Sequence, residues 1–251
     1  MPNRLETEKA FHNEAFARGI RKPLDRYYSI FSSVRADFLL RLKELAKDTV
    51  VLECGCGINS YAGELQGIAS DLTGIDISDE AVRQSEKLAM ESGAKNCRFL
   101  IMDAENLKFD NNSLGLLFGV GIIHHLDLNA FFDEAARVLT PDGSMLFMEP
   151  LGHNPLLNIY RRLTPKYRTP DEHPLLIKDL GLINRFFSRT TIRYYFFFAL
   201  LAVPFRNSIF FSGLLKLLNK ADRLFFRWIP FARYLAWYCI IEAHGPKKEQ
   251  V

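Results

Sequence analysis

The chain has 251 residues, of which 48% are hydrophobic and 24% are charged. These fractions are those of a globular protein and exclude disorder, collagen-like repeats and low-complexity scaffolds, and at about 100–200 residues per domain the length fits one large domain, alone or with an appendage. The net charge of +3 is too small to indicate nucleic-acid binding by itself, so no nucleic-acid partner is expected.

Cysteine usage and the apolar stretches indicate a compartment. The four cysteines lie at positions 54, 56, 97 and 239. Cys54 and Cys56 are separated by one residue, where a disulfide would be strained, so we expect reduced thiols in a cytoplasmic protein. Residues 1–19 are polar and charged, unlike a signal peptide. The longest apolar stretch, residues 194–205, is shorter than the about 20 residues that cross a bilayer as a helix.

In chain order, the elements predict an α/β domain behind a helical N-terminal segment. Residues 1–48 predict a helical cap that is broken near Pro23, with leucines 39, 40, 42 and 45 at helical spacing. Strands are predicted over residues 49–53, 68–76, 97–102, 116–120 and 144–149, helices over 78–93 and 129–139, and a turn over 141–143. Strands that alternate with helices of this length indicate βαβ units and a parallel sheet.

The domain predicted over residues 49–251 carries two additions. Residues 151–186 are rich in Pro, Asn, His and Arg and predict a long insertion with short helices, of the kind that tends to be functional. Two further strands are predicted over residues 190–201 and 232–243. Between them, residues 203–232 predict an apolar, basic, helical insert.

A glycine loop gives the strongest signal for a ligand, in the segment Val51-Leu-Glu-Cys-Gly-Cys-Gly-Ile-Asn-Ser60. Gly55 and Gly57 allow the backbone to approach a ligand, and the following helix start offers free N–H groups and a positive dipole end. Glu53 suits a ligand with an ammonium group. Asp76 ends the second strand 21 residues after Gly55 and suits both hydroxyls of a ribose.

These residues alone also fit a dinucleotide-binding loop, which has glycines and an acid about 20 residues later. Two features disfavour that alternative: Asn59 stands near the position of the third glycine, and Glu53 would be a poor neighbour for a pyrophosphate. A nicotinamide-dependent oxidoreductase and a glycine turn without a ligand both stay open at this point.

Residues 49–150 resemble the class I S-adenosylmethionine-dependent methyltransferases of the small-molecule type. The resemblance extends beyond the glycine loop to residues 103–113, 119–126 and 136–143, in order and with normal spacing. It implies an α/β, Rossmann-like fold with a mostly parallel seven-stranded sheet, an antiparallel last strand and helices on both faces. It also implies S-adenosyl-L-methionine as the cofactor and S-adenosyl-L-homocysteine as the product.

The resemblance further implies the cofactor-binding residues. The matching positions are Glu53, Gly55 and Gly57 for the methionine part, Asp76 for the ribose, Ile77, Asp103 and Ala104 for the adenine, and Gly119 for the methionine end. Cys56 and Ile58 stand where the family often has smaller residues, which affects the packing around the second glycine.

Acceptor-facing groups are expected at the carboxyl ends of the strands. A sulfonium methyl is already a good electrophile, so positioning supplies much of the rate, and a base is needed only if the acceptor keeps a proton. The catalytic or acceptor-binding candidates are His125, Glu149 and His153, each of which could instead be a hydrogen-bonded structural residue. His12, Tyr27 and Tyr28 could close the site from the N-terminal side, although helix packing explains them as well. No metal is predicted, because no spacing dictates a site among histidines 124, 125, 153 and 173.

The insert at residues 203–232 has three alternative interpretations: a basic amphipathic helix on an anionic membrane, the wall of an apolar acceptor pocket, or a helical hairpin packed on the sheet. The sequence therefore predicts a methyltransferase that acts by in-line displacement on a small, apolar or lipid-like acceptor, with the accepting atom and the oligomeric state open. A nicotinamide-dependent oxidoreductase and a non-catalytic, membrane-associated module that binds the cofactor are the alternatives. The predicted location is cytoplasmic, with peripheral membrane contact through residues 203–232 left open.

Overall fold

The computed structural model describes residues 6–10, 13–14, 29–163 and 174–248. The helices are α1 (Ser32–Ala46), α2 (Ala62–Leu65), α3 (Asp79–Ser92), α4 (Leu128–Val138), α5 (Pro155–Leu163), α6 (Ile177–Phe186) and α7 (Phe211–Trp228). The strands are β1 (Val50–Cys54), β2 (Asp71–Asp76), β3 (Cys97–Ile101), β4 (Leu114–Val120), β5 (Leu139–Pro150), β6 (Phe187–Tyr195) and β7 (Tyr238–Pro246). Short 3-10 helices span Ile123–His125, Phe198–Phe205 and Pro230–Leu235.

The seven strands form one sheet in the order β3-β2-β1-β4-β5-β7-β6. Pairs from β3 to β5 are parallel, whereas β7 runs antiparallel to both β5 and β6. The predicted fold class, a mostly parallel seven-stranded sheet with an antiparallel last strand, is confirmed. Because the chain moves outward from β1 to β3 and then returns to β4, the loops after β1 and β4 lie side by side at the carboxyl edge, where such sheets bind ligands.

Hydrophobic side chains cover the sheet on both faces. On one face, α1 buries Val34, Phe38, Leu42 and Ala46, a stripe at i, i+4 spacing that packs with Phe118 and Leu146. Leu40, one of the leucines at helical spacing, is 65% exposed, because the buried stripe follows every fourth residue from Val34. On the other face, α4 and α6 pack against the sheet.

The predicted boundaries of α3 are confirmed by its caps. The Ser78 hydroxyl accepts a hydrogen bond from the N–H of Ala81, and Gly93 ends the helix with a φ of 74°. A serine cap of this kind stabilises a helix by about 1 kcal/mol. It also fixes the start of α3 three residues after the end of β2, at the carboxyl edge of the sheet.

The predicted turn at residues 141–143 was wrong in detail. It lies inside β5, where Leu139 pairs with Leu114 and Ser144 pairs with Leu116. Residues 140–143 therefore lie opposite the single residue Gly115, which leaves three extra residues on β5 in an irregularity rather than a separate turn. Pro141, which has no N–H to donate, is tolerated at such a position.

The two predicted C-terminal strands exist, but their bounds were wrong. β6 ends at Tyr195 instead of residue 201, because Phe196 adopts a φ of 66° that no strand accommodates, and a 3-10 helix follows. β7 begins at Tyr238 instead of residue 232, because Pro230 starts another 3-10 helix. Both segments are apolar, and composition alone did not separate strand from helix there.

Candidate active site

Glu53 lies beneath the loop that follows β1. Its carboxylate is buried and accepts hydrogen bonds from the Ser60 hydroxyl and from the Tyr61 N–H, the latter at 3.1 Å. Burial raises the pKa of Glu53 to about 7, against the opposing effect of these two hydrogen bonds. The acid therefore fixes the far end of the loop and places a titratable group under it.

The two glycines shape the near end of the same loop. Gly55 and Gly57 have φ values of 66° and 54°, and a Cβ on Gly55 would lie 2.8 Å from Cδ1 of Ile122. Only glycine avoids both the strain and the contact. The Gly57 N–H donates to Oδ2 of Asp76 at 3.0 Å, so the loop folds back toward the end of β2.

Asp76 joins two backbone segments at this edge. Besides the bond from Gly57, its Oδ1 accepts from the N–H of Ser78 at 2.9 Å. The two bonds hold this carboxylate, which offers about four lone-pair sites in all, at the carboxyl end of β2. Ile77 follows directly and is half-buried.

The predicted adenine-side residues lie next to Asp76. The Met102 N–H donates to the carbonyl of Asp76 at 3.1 Å, which ties the segment after β3 to the end of β2. Asp103 then accepts from the N–H of Glu105 at 2.9 Å, and Ala104 is buried. This arrangement brings both predicted residues to the edge where β2 ends.

Gly119 lies near the end of β4 and is buried between two strands. It pairs with Cys54 of β1 on one side and with Phe147 of β5 on the other. Its backbone is therefore enclosed by the sheet just before the loop that carries His124 and His125.

Glu149, predicted as catalytic, is fully buried and holds that loop. Its Oε1 accepts from the N–H groups of Ile122 and Ile123, both at 2.9 Å, and its Oε2 lies 2.7 Å from Nδ1 of His124. These contacts direct both oxygens at the protein itself. They fit a residue that positions the loop after β4.

His125 is the histidine of this loop that lies toward the N-terminal segment. Its ring packs on that of His124 with a centroid distance of 4.2 Å, and its Nδ1 lies 3.5 Å from Oε2 of Glu8. Glu8 is itself buried, so residues 6–10 lie against the loop after β4.

The sequence reasoning missed the N-terminal residues that reach the site. Besides Glu8, Lys9 forms an ion pair with Asp79 at 2.7 Å, at the start of α3. These contacts join residues about 70 or more positions apart in the sequence, so no local sequence pattern predicts them. The residues that were proposed for this side, His12, Tyr27 and Tyr28, lie outside the described part of the chain.

His153 is held within the insertion. Its Nε2 accepts the N–H of Ile177 at 2.8 Å, so the neutral ring carries its proton on Nδ1, and burial lowers its pKa. Its ring packs edge-on against that of Tyr234, with a distance of 4.9 Å between the ring centroids. Its contacts are thus with α6 and with residues 230–235, and the structure does not join it to Glu149 or His125.

Two further features concern the insertion. A cleft of about 420 Å³ is lined by Gly152, Asn158, Pro174, Leu176, Lys178 and Asp179. Among the described residues no three His, Cys, Asp or Glu side chains form a metal-binding group, and His173 lies outside those residues.

Comparisons with known proteins agree with this geometry. A family model described as "Methyltransferase domain" matches residues 52–147. The chain is 27% identical over 134 residues to the uncharacterized methyltransferase YcgJ of Bacillus subtilis (strain 168). The aligned region covers 53% of each protein. These matches identify a methyltransferase domain within the chain and agree with its resemblance to the class I S-adenosylmethionine-dependent methyltransferases. All eight predicted cofactor positions fall within the matched residues, whereas Glu149 and His153 lie beyond them.

Two other proteins are also similar to this chain. It is 24% identical over 179 residues to aklanonic acid methyltransferase DauC of Streptomyces sp. (strain C5), covering 67% of this chain and 78% of DauC. Its fold matches geranyl diphosphate C-methyltransferase from Streptomyces coelicolor A3(2) with a TM-score of 0.61 and 17% identity, over 85% and 79% of the two chains. The chain spans only about half the length of YcgJ. Neither the oxidoreductase alternative nor the non-catalytic one finds support in these matches.

Proposed function

We propose that this chain transfers the methyl group of S-adenosyl-L-methionine to a small, apolar or lipid-like acceptor. The observation that carries the proposal is the loop after β1. Glu53 lies buried beneath it, and the Gly57 N–H ties it to Asp76 at the end of β2. Two carboxylates at one turn of this edge suit a ligand that has both a cationic amino acid part and a ribose.

The residues at this edge fit that cofactor. Glu53 would face the ammonium group, and the turn at Gly55 and Gly57 would leave room for the methionine part where a Cβ would collide. Asp76 would accept the ribose hydroxyls. Residues 77, 103 and 104 would line the adenine, and Gly119 would back the methionine end. When bound, the cofactor supplies a methyl group on a sulfonium, which is a strong electrophile.

The protein's own residues then have two tasks. The loops after β1 and β4 position the acceptor in line with the methyl group and exclude water, which supplies much of the rate. Where the acceptor keeps a proton at neutral pH, His125 would take it as the new bond forms. Glu149 would act as a positioning residue, since its oxygens hold the loop that carries His125.

The acceptor side would be formed by three segments around the domain of residues 49–251. Residues 1–48 would cap the site, which the contact of Glu8 with His125 supports. The insertion at residues 151–186, anchored by His153, would contribute the cleft beside Gly152. An apolar acceptor is supported by the exposed hydrophobic side chains of residues 203–232. One structural neighbour, geranyl diphosphate C-methyltransferase, was crystallised in complex with geranyl diphosphate.

The test is incubation of the full chain with methyl-labelled cofactor and a panel of lipid, quinone, isoprenoid and amine acceptors. We expect label in an apolar acceptor and stabilisation against heat by S-adenosyl-L-homocysteine. Label confined to hydrophilic amines would contradict the acceptor class. Stabilisation by NADH, with none by S-adenosyl-L-homocysteine, would instead support the oxidoreductase.

A further inference from the structure

The insert between β6 and β7 has an outward face that is apolar and basic. It contains the 3-10 helix Phe198–Phe205, helix α7 and the 3-10 helix Pro230–Leu235. We call its solvent-exposed side the insert face. Of the helices in the described part of the chain, none is long and apolar enough to span a membrane.

Helix α7 presents a line of hydrophobic side chains to solvent. Phe210, Leu217, Leu224 and Trp228 are separated by seven, seven and four residues, so they lie along one side of the helix. Their exposed fractions are 73%, 64%, 52% and 71%. A protein surface rarely leaves such a line in water without a binding role.

A line of positive charges runs beside these side chains. Lys216, Lys220, Arg223 and Arg227 are exposed and are separated by four, three and four residues, which places them on an adjacent side of α7. The Arg227 guanidinium lies 5.4 Å from the centre of the Trp228 ring. The two lines together form a basic amphipathic surface.

The exposure does not come from loose packing of α7. Leu215 on its opposite side is buried, and the Phe225 ring stacks on that of Phe197 at 5.2 Å. Asp222 is also buried and accepts hydrogen bonds from the N–H groups of Phe197, Phe198 and Ala199. The helix is thus held by its inner side, and its outer apolar residues are not needed for the core.

The charge of the insert face selects the partner. Residues 198–235 contain six Lys and Arg and a single acid, Asp222, which is buried. A second copy of the chain would bring these like charges together, and a nucleic acid would leave the apolar line in water. An anionic bilayer satisfies both features, because its headgroups attract bases and its acyl boundary receives Trp, Phe and Leu.

The topology places the insert at the edge of the sheet that carries the candidate site. Tyr195 at the end of β6 and Pro150 at the end of β5 both pair with Tyr238 at the start of β7. The insert therefore leaves and re-enters the sheet at the edge of the loop that carries His125. Asn154, just beyond β5, donates to the carbonyl of Leu235 at 2.6 Å and links this edge to the insert.

We propose that the insert face docks the protein on an anionic membrane surface, with α7 lying in the interface. Docking places the carboxyl edge of the sheet near the bilayer. Only the further consequence, that the bilayer supplies the acceptor, rests on the proposed function.

The first experiment is co-sedimentation of the full chain with phosphatidylcholine vesicles, with and without about one third phosphatidylglycerol. We expect binding to the anionic vesicles that weakens as salt is raised. The triple variant Phe210→Ser/Leu217→Ser/Trp228→Ser should lose binding. The control Leu40→Ser/Met90→Ser removes apolar side chains of similar exposure elsewhere and should bind like the wild type.

The second experiment isolates the charges. Each base near an anionic surface is worth about a fivefold change in affinity, so Lys220→Gln/Arg227→Gln should bind about 25-fold more weakly. The control Lys47→Gln/Lys95→Gln removes the same charge elsewhere on the surface and should have little effect. Binding of S-adenosyl-L-homocysteine, measured by calorimetry, should be unchanged in all four variants and reports that the fold is intact.

Three results would overturn the inference: no wild-type binding to anionic vesicles, equal binding by the triple variant and its control, or self-association in ultracentrifugation that the triple variant abolishes. None of them would affect the proposed methyl transfer, which is assayed with detergent-dispersed acceptors. Conversely, vesicle binding without cofactor binding would support the proposed docking surface and contradict the proposed function.

Discussion

Replacing Glu53 by Gln should stabilise the protein while weakening the binding of its ligand. An acid whose pKa rises from 4.5 to about 7 on folding binds more protons in the folded state than in the unfolded state across that interval. The free energy of unfolding then falls by about 1.4 kcal/mol per pH unit between pH 4.5 and 7. The ionised Glu53 therefore costs up to about 3 kcal/mol above pH 7, and nothing below pH 4.5.

Glutamine removes the charge and keeps the shape. Its amide oxygen can accept from the N–H of Tyr61, and its NH₂ group can donate to the Ser60 hydroxyl oxygen. That oxygen already accepts a hydrogen bond from the N–H of Ala62 and has a second lone pair for the new donor. The Ser60 O–H, which donates to Glu53 in the wild type, can turn to solvent because Ser60 is only half-buried. We therefore expect a gain of about 1–3 kcal/mol at pH 8. The gain should shrink toward zero near pH 4.5, where wild-type Glu53 is protonated.

The assay is urea unfolding of both proteins at pH 5 and pH 8, with Glu86→Gln as an exposed control. The control should change the free energy of unfolding by less than about 0.5 kcal/mol at either pH. Calorimetry with S-adenosyl-L-homocysteine should show weaker binding to Glu53→Gln at pH 8, because the ammonium group loses its charged partner. A variant that is less stable than the wild type at pH 8, or equally changed at both pH values, would refute the reasoning.

Three further predictions follow from the same edge of the sheet. Asp76→Ala should weaken binding of S-adenosyl-L-homocysteine about 100-fold in calorimetry, whereas Asp71→Ala at the opposite end of β2 should not; equal effects would remove the ribose assignment. His125→Ala should lower turnover about 100-fold with an ionisable acceptor while cofactor affinity stays within a factor of about two, and unchanged turnover would discard its role as a base. Wild-type affinity for S-adenosyl-L-homocysteine should rise between pH 6 and 8 as Glu53 ionises. An affinity that does not change with pH would show that Glu53 does not bind the ligand.

The strands, the helices and the glycine loop at the carboxyl edge were predictable because each of them depends on a local sequence pattern. Strand and helix lengths alternate, Ser78 and Gly93 mark the ends of α3, and the glycines fall where β1 ends. Each of these signals spans fewer than about 15 residues and depends on backbone preferences. The seven strands and the antiparallel last strand were implied by the family resemblance, whereas the order of the strands was not predicted, since local patterns do not contain it.

The errors in prediction lie where distant residues decide the structure. The strand predicted to run through residue 201 ends at Tyr195 because Asp222, 23–25 positions away, accepts the N–H groups that start the next helix. The catalytic role suggested for Glu149, a strand-end acid, stays a prediction. That its oxygens hold the backbone of Ile122 and Ile123 depends on a pairing that only the folded sheet creates.

Glu53 and Glu149 show one physical solution used twice at the carboxyl edge. Each acid is buried within one or two residues of the end of its strand, and each accepts N–H groups from the loop after β1 or after β4. Hydrophobic residues at these positions would avoid the cost of burying a carboxylate, but they would leave those N–H groups without acceptors. The two loops that would have to hold a ligand in place are therefore fixed by buried acids. Burial raises the pKa of Glu53 to about 7, so ligand binding at the loop after β1 should change with pH near neutrality.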